Sequence, residues 1–417
     1  MKRLLIITYY WPPTGGSGVQ RWVKFSKYLP QFGWQPVIYT PENPERLAYD
    51  ESLLEDIPAC AEIIRTRIVE PYGIYRSLVG KKGGRTEVNP VSGGSKTAMQ
   101  RLALRVRGNF FIPDPRVSWV RPSVRFLKRY LREHPVDAVV TTGPPQSMHL
   151  IGLGLKKALG VRWLADFRDP WTEMFYYKHL GLWKPADRRH HELERQVLDA
   201  ADRVIAVTPY VRDDFAARTE TPVELITNGF DEDDFSGRTP VRHEGRFTVV
   251  HTGLFAADGN PLNLWDALAE KCGSDPEFAA RLQIRLAGKT DAEVLDAIRS
   301  RGLGGNLVDL GYLPHGQVVA EQMGADVLIL PLRREPEYAK VLPGKIFEYL
   351  ASGRPVLGIG QEDGAAAEVL RDSGAGEMFG WDRRDGLIDF ICGKHGKPEN
   401  IGRYSRRALT GKLVELL

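Results

Sequence analysis

The chain has 417 residues, too many for one hydrophobic core, and a composition of 42% hydrophobic and 26% charged residues that suits a globular protein of two domains or so. The net charge of +4 is modest, and Cys60, Cys272 and Cys392 are odd in number, far apart and in no metal-ligand spacing, which argues against a disulfide framework or zinc site and for a reducing compartment. No apolar run approaches the roughly 18 residues of a membrane span, and residues 4–7 are too short a run for a signal peptide, so a cytoplasmic protein is expected.

Residues 4–8 are an apolar run bounded by turn residues, the pattern of a buried parallel strand. The run leads into Tyr9-Tyr10-Trp11-Pro12-Pro13-Thr14-Gly15-Gly16-Ser17-Gly18, then a helical pattern over residues 20–29 and a strand at 37–39, which together make a βαβ unit. This loop is no G-x-G-x-x-G fingerprint. It does stand at the carboxyl end of a strand, where open α/β sheets bind ligands and where glycines let the backbone approach closely, although a turn with no ligand accounts equally for any single glycine.

Residues 78–97 are polar, rich in Gly, Ser and Lys and without periodicity, so a mobile loop is expected. Between residues 61 and 135, sixteen Lys/Arg stand against five Asp/Glu. The helices expected at 99–107 and 122–132 mix apolar residues with arginines. Each alone suits packing on a sheet with a solvated face, while the basic region as a whole suits an anionic lipid surface. No recognition fold, zinc spacing or aromatic RNA-binding signature accompanies the charge, so nucleic acid is not an expected partner.

Residues 136–142 read as a strand ending in Gly143-Pro144-Pro145, with Ser147 and His149 opening the next helix; Ser147 suits a cleft-facing position and His149 a packed one. Residues 161–165 are again a strand, ending in Asp166-Phe167-Arg168-Asp169-Pro170-Trp171-Thr172-Glu173. Charges gathered at such a strand end are a usual site pattern, although an ion pair of Arg168 with Asp166 or Asp169 that fixes the loop accounts for the same residues. Residues 203–207 are expected as the last strand of this half, with Thr208-Pro209 capping the helix that follows and a linker at 236–245. Strands at 247–251, 282–286, 307–310, 327–330 and 356–359 repeat the βα alternation, so the fold class is α/β with two Rossmann-like domains.

Signals then converge on Leu342-Pro343-Gly344-Lys345-Ile346-Phe347-Glu348-Tyr349-Leu350-Ala351-Ser352-Gly353-Arg354-Pro355. Pro343 suits a first helical position and Gly353 followed by Pro355 a helix end, which leaves a short helix whose open N-terminus favours an anion. Lys345 and Glu348, three residues apart, share a face. An ionised carboxylate accepts both hydroxyl protons of a ribose while the lysine and the helix start at Gly344 hold attached phosphates, so one nucleotide satisfies all of these groups. The same spacing also suits an exposed helix ion pair worth about 0.2–0.5 kcal/mol.

This stretch resembles the C-terminal domain of the retaining glycosyltransferases of family 4, and Pro343 through Ala351 fits the P-[SG]-K-x-[FL]-E-Y-[ML]-A motif of a subgroup. The resemblance implies a GT-B fold: two Rossmann-like domains facing each other across a cleft, with a C-terminal helix crossing back to the first. It also implies that Glu348 is the second of two glutamates bracketing seven residues, the one that meets the ribose. The first, which meets the donor sugar in other members, is Lys340 here. By the same resemblance the first glycine-rich loop faces the cleft through Gly15, Gly16 and Arg21, and the D-x-[RH]-D-x-W signature lies near the acceptor, with Asp166, Arg168 and Asp169 as catalytic candidates. Asn228-Gly229-Phe230-Asp231 would lie near the domain junction. Members usually hold the donor phosphates with an arginine and a lysine after the first strand of the second domain. Gly253-Leu254-Phe255 lacks that arginine, so phosphate binding falls on Lys345, with Lys289 after Gly288 as a second candidate.

The expected organisation is therefore an acceptor domain at 1–240, a nucleotide-sugar domain at 241–399 and a returning helix at 400–417. The expected activity is that of a hexosyltransferase moving a sugar, with retention, from a nucleotide diphosphate donor to a lipid-linked or cell-envelope glycan. No metal or cofactor is expected, and the location is cytoplasmic, at the inner face of an anionic membrane. Two alternatives stand beside it. A nucleotide-sugar epimerase of the same architecture would need acid/base residues that only the 166–169 cluster offers, and a non-catalytic nucleotide-sugar-binding protein is suggested by Lys340 and by the missing arginine.

Overall fold

The structure, a computed structural model, describes residues 1–45, 49–70, 98–174 and 177–417; the loop expected at 78–97 and the side chains of Ser17 and residues 98–103, Arg101 among them, lie outside the described residues. The chain forms two compact units, Met1–Thr227 with Leu409–Leu417, and Asn228–Ala408.

The first unit runs β1 (Lys2–Ile7), α1 (Ser17–Tyr28), β2 (Trp34–Pro41), β3 (Glu62–Thr66), α2 (Ala98–Phe110), α3 (Val120–Glu133), β4 (Ala138–Gly143), α4 (Ser147–Leu159), β5 (Trp163–Phe167), α5 (Lys184–Ala200), β6 (Arg203–Ala206), α6 (Pro209–Ala216) and β7 (Val223–Leu225). All seven strands are parallel, in the order β3-β2-β1-β4-β5-β6-β7, with Ile6 of β1 registered against Ile38 of β2 and Val140 of β4. Helices cover both faces of this sheet, and that is why β1 reads as an unbroken apolar run. Leu5 and Ile7 point to a core shared with Leu127, Met148, Ile151 and Val197, while Leu4 and Ile6 point to one shared with Trp22, Phe25, Leu409 and Leu413. Thr208 caps α6, accepting from the Val211 amide at 3.2 Å.

The second unit runs β8 (Phe247–Thr252), α7 (Leu262–Ser274), β9 (Leu282–Ala287), α8 (Ala292–Ile298), β10 (Leu307–Gly311), α9 (His315–Gly324), β11 (Val327–Pro331), α10 (Lys345–Ser352), β12 (Val356–Ile359), α11 (Ala365–Asp372) and β13 (Gly376–Phe379), with α12 (Arg406–Leu416) closing the chain into the first unit. Its six strands are parallel in the order β10-β9-β8-β11-β12-β13. Residues 228–240 join this unit: the Phe230 amide donates to Tyr404 O at 3.1 Å and Phe230 O accepts from the Arg406 amide at 2.8 Å.

Three strands escaped the sequence reading. β3 and β7 are only partly buried edge strands, and β13 is an edge strand of four residues, so none has the continuous apolar run that betrays a central strand. Residues 203–207 are accordingly not the last strand of the first half; β7 lies beyond them. The helix of α10 begins at Lys345 rather than Pro343, whose carbonyl accepts from the Ile346 amide at 3.1 Å, and it ends on Gly353 in the left-handed region at φ 69°.

Candidate functional site

In the second unit the strand order reverses between β8 and β11, the switch point at which an open α/β sheet leaves a crevice at its carboxyl edge. β8 ends there in His251 and Thr252, and the chain turns at Gly253, φ 92°. Its amide donates to Ala287 O at 2.7 Å, which lays the turn across the end of β9. Gly288 meets this turn so closely that a Cβ would lie 2.3 Å from Gly253 O, so only glycine fits.

Into this crevice α10 brings Lys345. Its Nζ lies 3.3 Å from His251 Nε2 and 3.4 Å from Leu254 O. Burial lowers the ammonium's pKa to about 8, against the opposing charge of Glu348. One turn on, Glu348 is 22% exposed, with Oε1 3.3 Å from His315 Nε2 and Oε2 accepting from Gln322 Nε2 at 3.2 Å. Burial would raise its pKa, but hydrogen bonds from His315 and Gln322 and the charges of His315 and Arg406 outweigh it and hold the carboxylate ionised. Gln322 Nε2 also donates to Thr252 Oγ1 at 2.9 Å, and the Thr252 amide donates to Tyr349 Oη at 3.0 Å, so the carboxylate is braced by three elements.

Lys345 and Glu348 are therefore brought together without forming an ion pair. Gly344, exposed, caps α10. Lys289 and Lys340 are exposed, and among the described residues neither side chain makes a polar contact with Lys345 or Glu348. The sequence reading missed His251, His315, Gln322 and Thr252. The available signal was a histidine and a threonine ending the strand directly before Gly253, after the apolar Val249 and Val250.

In the first unit the charged cluster separates into distinct parts. Asp166 and Arg21 are both fully buried: Arg21 Nε donates to both carboxylate oxygens at 3.2 Å and Nη2 to Oδ1 at 2.8 Å. Oδ2 also accepts from Trp22 Nε1 at 2.7 Å and Thr142 Oγ1 at 2.9 Å, while Arg21 reaches Thr227 O at 2.7 Å and Ile226 O at 2.9 Å. Burial alone would raise the Asp166 pKa; Arg21 and the other donors hold it low. This pair bolts α1 to the end of β5 and presents no polar atom to solvent.

Arg168 ties loops together, donating from Nη1 to Gly18 O at 2.5 Å, from Nε to Gly143 O at 3.3 Å and from Nη2 to Pro144 O. A Cβ on Gly18 would come 2.6 Å from that guanidinium. Gly16, exposed at φ 106°, is the N-cap of α1, and Gly15 before it is buried. Asp169, partly exposed, makes no hydrogen bond or ion pair among the described residues; burial raises its pKa, with Arg168 opposing. The loop beyond it is held by Glu194 of α5, which accepts from Thr172 Oγ1 at 2.7 Å and Arg218 Nη1 at 2.8 Å. Ser147, read as cleft-facing, is buried instead, with Oγ donating to Asp114 Oδ1 at 2.9 Å. His149 is packed on Phe167 at 4.2 Å between ring centroids, and burial drives its pKa down to about 3.

The whole fold has solved counterparts. A sucrose-phosphate synthase from Thermosynechococcus elongatus superposes with a TM-score of 0.62 at 14% identity over 100% of this chain and 98% of its own. An alpha,alpha-trehalose 6-phosphate synthase from Burkholderia multivorans gives 0.60 at 14% identity over 100% and 98%, and the lipopolysaccharide outer core galactosyltransferase WaaB 0.58 at 13% over 100% and 99%. At such identities the likeness is one of fold, the GT-B architecture of two Rossmann-like domains. No curated protein matches the chain in sequence. Residues 16–234 match the family described as Glycosyltransferase Family 4, a span that opens on the glycine-rich loop, takes in Arg21, the Asp166 to Asp169 loop and Glu194, and covers more than half of the chain. The protein is thus a member of glycosyltransferase family 4.

Proposed function

We propose that the protein transfers a hexose, with retention, from a nucleoside diphosphate sugar to a lipid-linked or cell-envelope glycan. The observation that carries the donor half is the placement of Lys345 and Glu348 one turn apart at the switch point of the second unit. In this reading the N-terminus of α10, with Gly344 and Lys345, meets the diphosphate, and Glu348 exchanges His315 and Gln322 for the two ribose hydroxyls. The bond from the anomeric carbon to the diphosphate oxygen breaks with its electron pair going to the diphosphate. The acceptor oxygen bonds to the same face of that carbon and its proton passes to the departing phosphate. Negative charge develops on the diphosphate, and a cation fixed there before reaction stabilises that transition state. Lys289 and Lys340 flank the donor in this proposal, Lys340 standing where a sugar-facing glutamate is usual. Asp169, with its open carboxyl, and Arg168, which sets the loops, face the acceptor, while Asp166 and Arg21 support them from behind.

For the acceptor we propose delivery from an anionic membrane surface. No helix among the described residues is long and apolar enough to cross a membrane. Phe110 at the end of α2 and Trp183 before α5 stand 65% and 57% exposed, edge to face at 5.6 Å, with the exposed Arg105, Lys178 and Lys184 near them in sequence; an apolar phenyl and an amphipathic indole beside cations suit a lipid headgroup layer.

The test is product analysis. Purified protein is incubated with a panel of nucleoside diphosphate sugars and lipid-linked acceptors, and the anomeric configuration of the product is read by NMR. A glycosylated acceptor with the donor's configuration supports the proposal. Inversion removes retention, interconversion of sugar nucleotides points to an epimerase, and binding without turnover leaves a nucleotide-sugar-binding protein.

A further inference from the structure

His251 is 1% exposed at the end of β8, with its ring against Phe255 at 4.4 Å between centroids. Both nitrogens are spoken for. Nδ1 lies 3.1 Å from Ile329 O, and a carbonyl can only accept, so Nδ1 carries a proton. Nε2 lies 3.3 Å from Lys345 Nζ and 3.4 Å from Leu254 O. The ammonium itself donates to Leu254 O at 3.4 Å, so that carbonyl is served without a proton on Nε2. A second ring proton would face an ammonium. Burial and the charge of Lys345 both push the His251 pKa well below its ordinary value, which agrees with a neutral ring. The tautomer fixed by these contacts is Nδ1–H, with the Nε2 lone pair directed at Lys345.

We infer that His251 is a positioning residue for donor binding: anchored on Ile329 O, it holds the Lys345 ammonium through Nε2 and aims its remaining N–H at the diphosphate. Leu254 O takes one ammonium proton and His251 another, which leaves one of three for the ligand. Gly253 keeps the near side open, since a Cβ there would stand 3.3 Å from Nζ. A lysine on a four-carbon stem is otherwise a mobile point charge, so fixing it in advance moves part of the ordering cost from binding to folding. This inference rests on the proposed role of Lys345 at the diphosphate.

The experiment measures affinities for the diphosphates of uridine, guanosine, adenosine and cytidine and for the matching nucleosides by titration calorimetry, in the wild type and in Lys345→Met, His251→Phe and His251→Gln. Phenylalanine keeps the ring volume without an acceptor; glutamine restores an oxygen near the place of Nε2. The expected result is a loss of about tenfold in diphosphate affinity for His251→Phe, the worth of one charge-assisted hydrogen bond, with nucleoside affinity within about twofold and most of the loss recovered in His251→Gln. Equal losses for nucleoside and diphosphate, or a diphosphate preference unchanged from the wild type, would overturn the inference. If Lys345→Met leaves the preference intact, or no diphosphate binds the wild type, the underlying donor-site reading fails instead. Should His251→Phe not fold, His251→Gln and the ring tautomer decide: long-range proton–nitrogen NMR should find Nδ1 protonated and Nε2 bare, and a protonated Nε2 sinks the proposal.

Discussion

Under the proposed reaction Glu348 and Lys345 answer to different parts of a nucleotide, and this makes their substitutions separable. Replacing Glu348 with alanine removes the acceptor of two ribose hydroxyls, and charged hydrogen bonds contribute about 1.5–3 kcal/mol each. Nucleoside and nucleoside diphosphate should therefore lose affinity alike, by about two to four powers of ten, while Lys345→Met should penalise the diphosphate alone; unchanged nucleoside affinity in a folded Glu348→Ala protein would remove that residue from the site. The lysine also predicts a pH dependence. Its ammonium is lowered to about 8 by burial, its facing neighbours being Glu348 on the same helix and the neutral His251 of β8. The ligand's phosphates are already ionised there, titrating near pH 6. A polyanion prefers the ammonium, so binding takes up a proton above the free protein's pKa, and affinity should fall as pH rises through about 8, by at most tenfold per unit. Calorimetry at about pH 7, 8 and 9 checks the sign, and Lys345→Met should be flat. These two residues were legible because three-residue spacing puts them on one face. His251 was not: it stands 94 residues away from Lys345, and only the folded sheet makes them neighbours.

At the level of elements the buried Arg21–Asp166 pair and the open Asp169 make opposite predictions from adjacent positions. Asp166→Asn leaves a guanidinium buried without its counter-charge between α1 and β5, and breaking such a pair costs about 3–5 kcal/mol. Urea unfolding should show a loss of that order, and activity should fall with the folded fraction. Asp169→Asn touches no partner, so stability should stay within about 0.5 kcal/mol while turnover drops; a stability loss comparable to that of Asp166→Asn would mean that Asp169 also braces the loop. The sequence pointed to this loop because charges at a strand end are hard to explain by packing. It could not divide the labour, since what distinguishes Asp166 is Arg21, 145 residues earlier. The same limit hid β3, β7 and β13. A strand buried on both faces announces itself by composition, whereas an edge strand is defined by the neighbour it pairs with.

For the whole molecule, the exposed Phe110–Trp183 pair and its cations predict salt-sensitive sedimentation with anionic vesicles and none with neutral ones. Each Lys or Arg near an anionic surface contributes on the order of 1 kcal/mol, which salt screens. Reversing Arg105 and Lys184 to glutamate should release the protein at low salt, and Phe110→Ser with Trp183→Ser should weaken what remains at high salt, with donor affinity intact in both. Equal recovery with both vesicle types, or none with either, leaves a soluble acceptor.

Residues 409–417 complete the first unit with Leu409 and Leu413 in the core beneath β1, so the second unit is threaded into the first as an insertion between residues 227 and 409. Mechanically this places both handles on one body. Pulled apart by residues 1 and 417, the chain carries tension through the first unit alone until α12 peels from the sheet, and the second unit is shielded from force up to that moment. A single-molecule trace should therefore show a fixed order of rupture, first unit before second.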